Sequence, residues 1–365
     1  VAEVEYQLTQ MILCRKSLAR AVRTALSSGT LGRGVIARAC HTLCFGALLF
    51  VILVLQTGCA LIEQVRCVPH NAHNEEKQSS YREEELAACL GKNPVAHGGV
   101  RHSVFCFGTD HSRPPVVLLH ELPGLSAKTL QYAESLSTDF TVYVPMLFGT
   151  VNQESTSRGI LAFWFNREWN GSELDGNAPI VQWLRNMMNQ IEKRHPNQDI
   201  GVIGNCLTGS LPLLLLDNMN VKAIVLAQPT LPIPIFYYSD DDRRSLGVSK
   251  SELNNAKNNA MDRDAKIYGV RFENDCVSRP EKREVLMKEF GGRYIDAQVR
   301  ESEYMTPEQC ATQDCAKAHS ILIGEWNAGK KCSPSEVRRK EVREFLKSPS
   351  TFTPGSLPTC TESDH

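Results

Sequence analysis

The sequence predicts an α/β fold, a mostly parallel sheet with helices on both faces, preceded by an N-terminal signal or anchor segment. Three observations carry that expectation. Short apolar runs such as Val116-Val117-Leu118-Leu119 are continuous rather than alternating, as strands buried on both faces are. Segments with apolar residues at helical spacing fall between those runs. The alternation persists over roughly 250 residues, which suits one layered domain.

In chain order, residues 1–59 read as a signal peptide with a lipobox or as a membrane anchor. Residues 60–98 read as a polar stalk, 99–348 as the α/β domain and 349–365 as a disordered tail. The lead carries Arg15, Lys16, Arg20, Arg23, Arg33 and Arg38 against Glu3 and Glu5. The apolar run Phe45–Leu55 follows, then Gln56-Thr57-Gly58-Cys59. A basic stretch, a short apolar core and small residues before a cut describe a secretory signal. Cys59 resembles the lipid-bearing cysteine of a bacterial lipobox, although Gln56 stands where a leucine is usual. Left uncleaved, Leu43 to Ile62 is just long enough to span a bilayer. Both readings put the domain at a membrane in the cell envelope, facing an oxidising compartment such as the periplasm. The chain has 13 cysteines, and such a compartment favours pairing some of them. At least one disulfide is therefore expected among the eight cysteines that follow Cys59 other than Cys206, with Cys206 free.

Within the domain, Val104–Phe107 is the first expected strand, and Val116–Leu119 is the next, closed by His120-Glu121-Leu122-Pro123-Gly124. Ser126 caps a helix showing Leu130, Ala133 and Leu136. Phe140–Met146 is a strand, and residues 148–178 are an excursion around Phe163, Trp164, Phe165 and Trp169. Pro179–Arg194 is the clearest helix, with proline in its first turn and Ile180, Leu184, Met187, Met188 and Ile191 on one stripe. Ile200–Ile203 and Ala223–Ala227 are strands on either side of an apolar helix body, Leu211–Leu216. A polar helix starts at Ser249, with Glu252 completing a capping box. Ile267–Phe272 and Tyr294–Val299 are the last strands. Ser333-Pro334-Ser335-Glu336 starts a final helix docked by Val337, Val342, Phe345 and Leu346.

Composition excludes several classes. Gly 24 and Pro 18 are ordinary shares, which removes collagen-like and low-complexity chains. A net charge of −1 leaves no electrostatic footprint for nucleic acid. No phosphate loop of the Gly-x-x-x-x-Gly-Lys-Ser/Thr type occurs. Cys310 and Cys315 lack a second Cys or His pair at zinc spacing, and no metal or organic cofactor is expected.

The chemistry points to Gly204-Asn205-Cys206-Leu207-Thr208-Gly209, which follows an apolar strand and precedes an apolar helix. A nucleophile on such a turn needs small neighbours and stands out of the sheet edge. Backbone N–H groups and the helix dipole there favour a thiolate, and the same amides can hold an oxyanion. A buried inert cysteine is the bland alternative. Asp275 follows the Ile267–Phe272 strand, with Glu273 as the nearest rival. His319 follows the Tyr294–Val299 strand after a long loop. His195 is a poor rival at the end of a helix read as exposed. His120 is either a partner of Glu121 or a satisfied core residue.

Four ordered motifs over residues 100–347 resemble the dienelactone hydrolase family of α/β hydrolases. Val116-Val117-Leu118-Leu119-His120-Glu121-Leu122-Pro123-Gly124-Leu125 is similar to its first core strand and glutamate loop. Gly204-Asn205-Cys206-Leu207-Thr208-Gly209 resembles its cysteine elbow, Tyr268-Gly269-Val270-Arg271-Phe272 through Asp275 its acid strand, and Ala318-His319-Ser320 its histidine turn. The resemblance implies a Cys206–His319–Asp275 triad, with Glu121 holding and activating the resting cysteine. It implies a hydrolase of small ester or lactone substrates, with the backbone N–H groups of Leu207 and Leu122 as oxyanion donors. Thr208 departs from the family's glycine and is expected to make the turn bulkier. Pro212 is expected to delay or kink the elbow helix. Both favour the alternative of an exported binding protein that keeps the fold without turnover, and acyl transfer or thioester hydrolysis is a third possibility.

Overall fold

The computed structural model describes residues 90, 95–108, 110–152, 167–169, 174–232, 239–303, 318–325 and 333–355. The expected signal or anchor with Cys59 and most of the stalk lie outside them. So do Cys310, Cys315, Cys332, Cys360 and the chain beyond 355. Among the described residues no helix is long and apolar enough to cross a membrane.

The chain enters through a hairpin, β1 (Val95–His97) and β2 (Val100–His102), paired antiparallel. A seven-stranded sheet follows, built from β3 (Val104–Phe107), β4 (Pro115–Leu119), β5 (Thr141–Pro145), β6 (Ile200–Asn205), β7 (Val221–Ala227), β8 (Lys266–Phe272) and β9 (Tyr294–Val299). Its order is β3-β5-β4-β6-β7-β8-β9. Only the β3–β5 pairing in this sheet is antiparallel. Among the described residues the helices are α1 (Ala127–Leu136), α2 (Pro179–Arg194), α3 (Leu211–Leu214), α4 (Asp240–Arg244), α5 (Lys250–Asp262), α6 (Pro280–Phe290) and α7 (Pro334–Lys347).

All of β4 is buried, and its residues alternate between two cores. Val117 and Leu119 pack with Leu184, Met187 and Met188 of α2. Val116 and Leu118 pack with Leu130 and Ala133 of α1 and Val342 and Phe345 of α7. This is why the β4 run reads as continuous: the strand has a helix layer on both sides.

Several caps match the expectation. Ser126, Ser249 and Ser333 accept from Thr129, Glu252 and Glu336 N–H groups respectively. The capping box at Ser249 is only half made, because the Glu252 carboxylate pairs with Arg185 at 3.2 Å instead. The domain edges differ from the sequence reading. Position 98, taken as the end of the stalk, falls in the β1–β2 turn, and Leu90 is buried in the core. At the other end, Phe352 packs on Tyr268 and Phe345, and the Gly355 N–H donates to Glu341. The first residues assigned to a tail are thus part of the domain. Helix α6 is absent from the sequence reading altogether.

The strand order places a switch point beside β4. The chain leaves β4 through α1 to β5 on one side, then crosses through α2 to β6 on the other. In open α/β sheets the crevice beyond the carboxyl ends of strands flanking such a point is where ligands bind.

Candidate active site

Five segments that follow parallel strands meet at that edge: Glu121 after β4, Cys206 after β6, Gln228–Thr230 after β7, Asp275 after β8 and His319 after β9.

Cys206 sits at φ 52°, a conformation that costs a non-glycine residue energy and persists only when its surroundings enforce it. The enforcement is visible. A Cβ on Gly204 would lie 2.4 Å from the Thr208 carbonyl oxygen, and one on Gly209 would lie 2.6 Å from Pro229 Cα. Asn205 Nδ2 donates to the Leu119 carbonyl at 2.9 Å. Thr208 is not the bulky misfit that the sequence suggests. Its hydroxyl accepts from the Asn205 N–H at 3.0 Å and donates toward the His120 carbonyl at 3.1 Å, tying the elbow to the end of β4. Pro212 acts as expected: the elbow continues as a 3₁₀ turn, Cys206–Thr208, then breaks, and α3 is four residues long. A long helix dipole behind the thiol is therefore absent, and local N–H groups must do its work.

Asp275 and His319 are joined. His319 Nδ1 donates to Asp275 Oδ2 at 2.7 Å. The other carboxylate oxygen accepts from the N–H groups of Val277 and Ser278, both at 2.9 Å. Arg271, from β8, donates to the carbonyls of Asp275 and Ser278 and closes the turn. Glu273, the rival acid, is exposed. His319 Nε2 is buried and makes no hydrogen bond of ordinary length. Burial opposes charge on the ring, yet Asp275 and the nearby Cys206 side chain outweigh it and hold His319 well above the ordinary histidine range.

Glu121 reaches neighbours other than the thiol. Ser320 donates to one carboxylate oxygen and Gln228 Nε2 to the other, the latter at 3.3 Å. Burial pushes the carboxyl up, and bonds to Ser320 and Gln228, with the charges of His319 and Lys128, pull it back only in part. The thiol instead meets Thr230, whose Oγ1 lies 3.7 Å from Sγ. Leu207 is buried inside the 3₁₀ turn, and Leu122 stands half-buried beyond β4.

The two spare histidines resolve into structural roles. His120 is fully buried. Its Nε2 accepts from the Leu147 N–H at 2.9 Å, so Nδ1 carries the proton and donates to the Glu121 carbonyl at 3.2 Å. Burial lowers it to about 4. His195 is not at an exposed helix end, as its charged neighbours suggest, but buried against Tyr143. It precedes β6, at the opposite edge of the sheet from Cys206.

Sequence reasoning missed Thr230, Gln228 and Ser320 as contacts of the site, since none belongs to a readable pattern; Ser320 entered only as a neighbour of His319. It also missed Lys128 and Arg339, which hold the histidine turn through the carbonyls of Gly324 and Leu322, both at 2.7 Å. Glu325, beside this turn, is raised to about 7 by burial. Cys106 is disulfide-bonded. Among the described residues no group of three or more His, Cys, Asp or Glu side chains is placed to hold a metal.

No family model and no curated protein matches the chain. Solved structures similar to it include proteins described as hydrolases, at low identity. A protein from Klebsiella pneumoniae assigned as a dienelactone hydrolase is 13% identical, covering 70% of this chain and 96% of its own, at a TM-score of 0.42. A protein from Thermoplasma acidophilum assigned as a CIB-like hydrolase is 12% identical, with 70% and 96% covered and the same score. A bacterial membrane phospholipase A is 11% identical, with 88% and 100% covered, again at 0.42. Likeness at this level bears on no activity; the strand order and the elbow define the architecture here.

Proposed function

We propose that the chain is a hydrolase of ester or lactone bonds, acting through Cys206, His319 and Asp275. The observation that carries this reading is the His319–Asp275 bond of 2.7 Å behind an imidazole that also feels the Cys206 side chain. A buried carboxylate fixes the ring's tautomer and leaves Nε2 to exchange a proton with the nucleophile.

The thiol proton passes to His319 Nε2, and the thiolate attacks the carbonyl carbon. The oxyanion rests on the backbone N–H groups of Leu207 and Leu122. As the carbon–oxygen bond breaks, the imidazolium gives its proton to the leaving alcohol, which in a lactone stays attached to the acyl group. Water then loses a proton to His319 and attacks the thioester carbon, releasing the carboxylic acid and restoring the thiol. Glu121 acts through the histidine turn: it is bonded to Ser320, next to the base, rather than to the sulfur.

Thr208 was a motive for a binding protein without turnover, and its place in the elbow removes that motive. We further propose, from the basic lead and Gly58-Cys59, that Cys59 anchors the domain to a membrane of the cell envelope; the Cys106 disulfide supports an oxidising compartment. Intact mass of the membrane-extracted protein tests the anchor, and a mature chain retaining residues 40–58 would overturn lipidation.

For the activity, a panel of small esters and lactones is offered to the parent and to Cys206→Ala. Turnover should fall at least about a thousandfold in the variant. Parent-like turnover in Cys206→Ala, with the fold confirmed by circular dichroism, would remove Cys206 from the mechanism.

A further inference from the structure

Three atoms of the segment that follows β7 are committed to three different parts of the site. Gln228, at φ 36°, turns its amide to Glu121. The Pro229 carbonyl accepts from Ser278 Oγ at 2.9 Å, and the Ser278 N–H is one of the two that bind Asp275. The Thr230 N–H donates to the Cys206 carbonyl at 3.1 Å. Thr230 is therefore held to the nucleophile's own backbone, and its side chain has little freedom. It is 3% exposed, and Cys206 is 8% exposed. Between these two buried side chains the Oγ1–Sγ separation is 3.7 Å, hydrogen-bond range for sulfur.

A buried hydroxyl is expected to have a partner, and the partner here is the sulfur. A thiol can accept or donate weakly; a thiolate can only accept. Once the proton has moved to His319, the hydroxyl is left with one role. We propose that Thr230 is a further catalytic residue, donating a hydrogen bond to the Cys206 thiolate and so favouring the reactive form of the nucleophile. The inference rests on the reading of Cys206 as nucleophile. It fills a place that the structure leaves open on two counts: Glu121 is engaged elsewhere, and the elbow helix is too short to supply a dipole. No proton is transferred by Thr230. The hydroxyl stabilises negative charge on sulfur before attack and loses that bond as the carbon–sulfur bond forms.

The test reads the thiol without any substrate. The rate of Cys206 alkylation by iodoacetamide is followed by peptide mass spectrometry across pH, in the full chain. Thr230→Val keeps shape and removes the hydroxyl; Thr230→Ser keeps the hydroxyl and removes the methyl. The valine variant should react about tenfold more slowly near neutral pH, with its profile moved toward alkaline pH, because a hydrogen bond to the charged form is lost. The serine variant should stay within about threefold of the parent, since the hydroxyl remains. A valine profile that superimposes on the parent would overturn the inference, as would a serine variant as slow as the valine one, which would assign the effect to packing. Ester turnover separates the two readings. If Cys206→Ala still turns over ester while the valine shift is present, the reading of Cys206 as nucleophile fails, and the hydrogen bond to its thiolate stands without a catalytic role. If Cys206→Ala is dead and the valine profile is unmoved, the reverse holds.

Discussion

The elbow and the histidine turn lie at the same edge of the sheet and are held in different ways. The elbow is wired by short side chains of its own and the adjacent strand: Asn205 and Thr208 bond to Leu119, His120 and each other. The histidine turn is suspended by side chains from distant elements. Lys128 reaches it from α1, Arg339 from α7 and Asp275 from beyond β8. A candidate site can thus combine a cysteine elbow fixed by local backbone geometry with a histidine fixed by tertiary contacts. The first is sensitive to glycine and threonine changes, the second to distant cations.

The largest expected effect probes the part the two regions share. His319→Ala and Asp275→Asn should each lower kcat by about a thousandfold or more, and the double variant should cost far less than their product, because the groups act as a unit. Multiplicative losses in single-turnover ester assays would mean that the two side chains work separately.

Acid should loosen the elbow side by a definite route. His120 stays neutral in the fold until about pH 4, whereas an unfolded histidine takes its proton near 6.5. The unfolded state therefore binds more protons across that window, and this contribution to stability is complete above 6.5 and lost as pH falls toward 4. The full loss is about 3 kcal/mol. Urea midpoints at pH 7 and pH 4.5 should fall more in the parent than in His120→Gln; equal falls would place the acid sensitivity elsewhere.

Arg339→Met sharpens the contrast. Its guanidinium bonds to the Leu322 carbonyl and lies 4.3 Å over the Tyr132 ring. Removal should lower kcat roughly tenfold through a looser His319 turn and cost ~1–3 kcal/mol of stability. Binding, read as KM, should hold. Cys206 alkylation at high pH, where His319 is not needed, should also hold; a matching drop there would show that the two regions are not independent.

The smallest effect belongs to Thr208→Val, which should destabilise by about 1–2 kcal/mol through unsatisfied groups at the elbow, measured by denaturant titration. A neutral change would reduce Thr208 to a spacer.

Much of the fold was legible because the local signals agree with the tertiary packing. The Pro179–Arg194 and Tyr294–Val299 bounds, the three serine caps and the kink at Pro212 all follow from short-range rules. Helix α6 was not legible, because its buried stripe is Lys282, Leu286 and Phe290, and a lysine occupies one core position. The site divides likewise. Cys206, Asp275 and His319 could be named as candidates from strand ends and chain order. Thr230 was not, since its contact with Cys206 is made across the β6–β7 pair and leaves no pattern in sequence. The role of Thr208 was misread from size alone; its hydroxyl has targets that only the β4–β6 pairing supplies.

Lys282 has a use beyond filling a core position. Its ammonium donates to the carbonyls of Leu231, at 2.7 Å, and Ser245, and approaches that of Asp242 at 3.5 Å. The chain that leaves the site just after Thr230 and the chain that returns through α4 are thus moored to one charge. A change at that one position therefore reaches both segments at once, Leu231 next to Thr230 and Ser245 beyond α4.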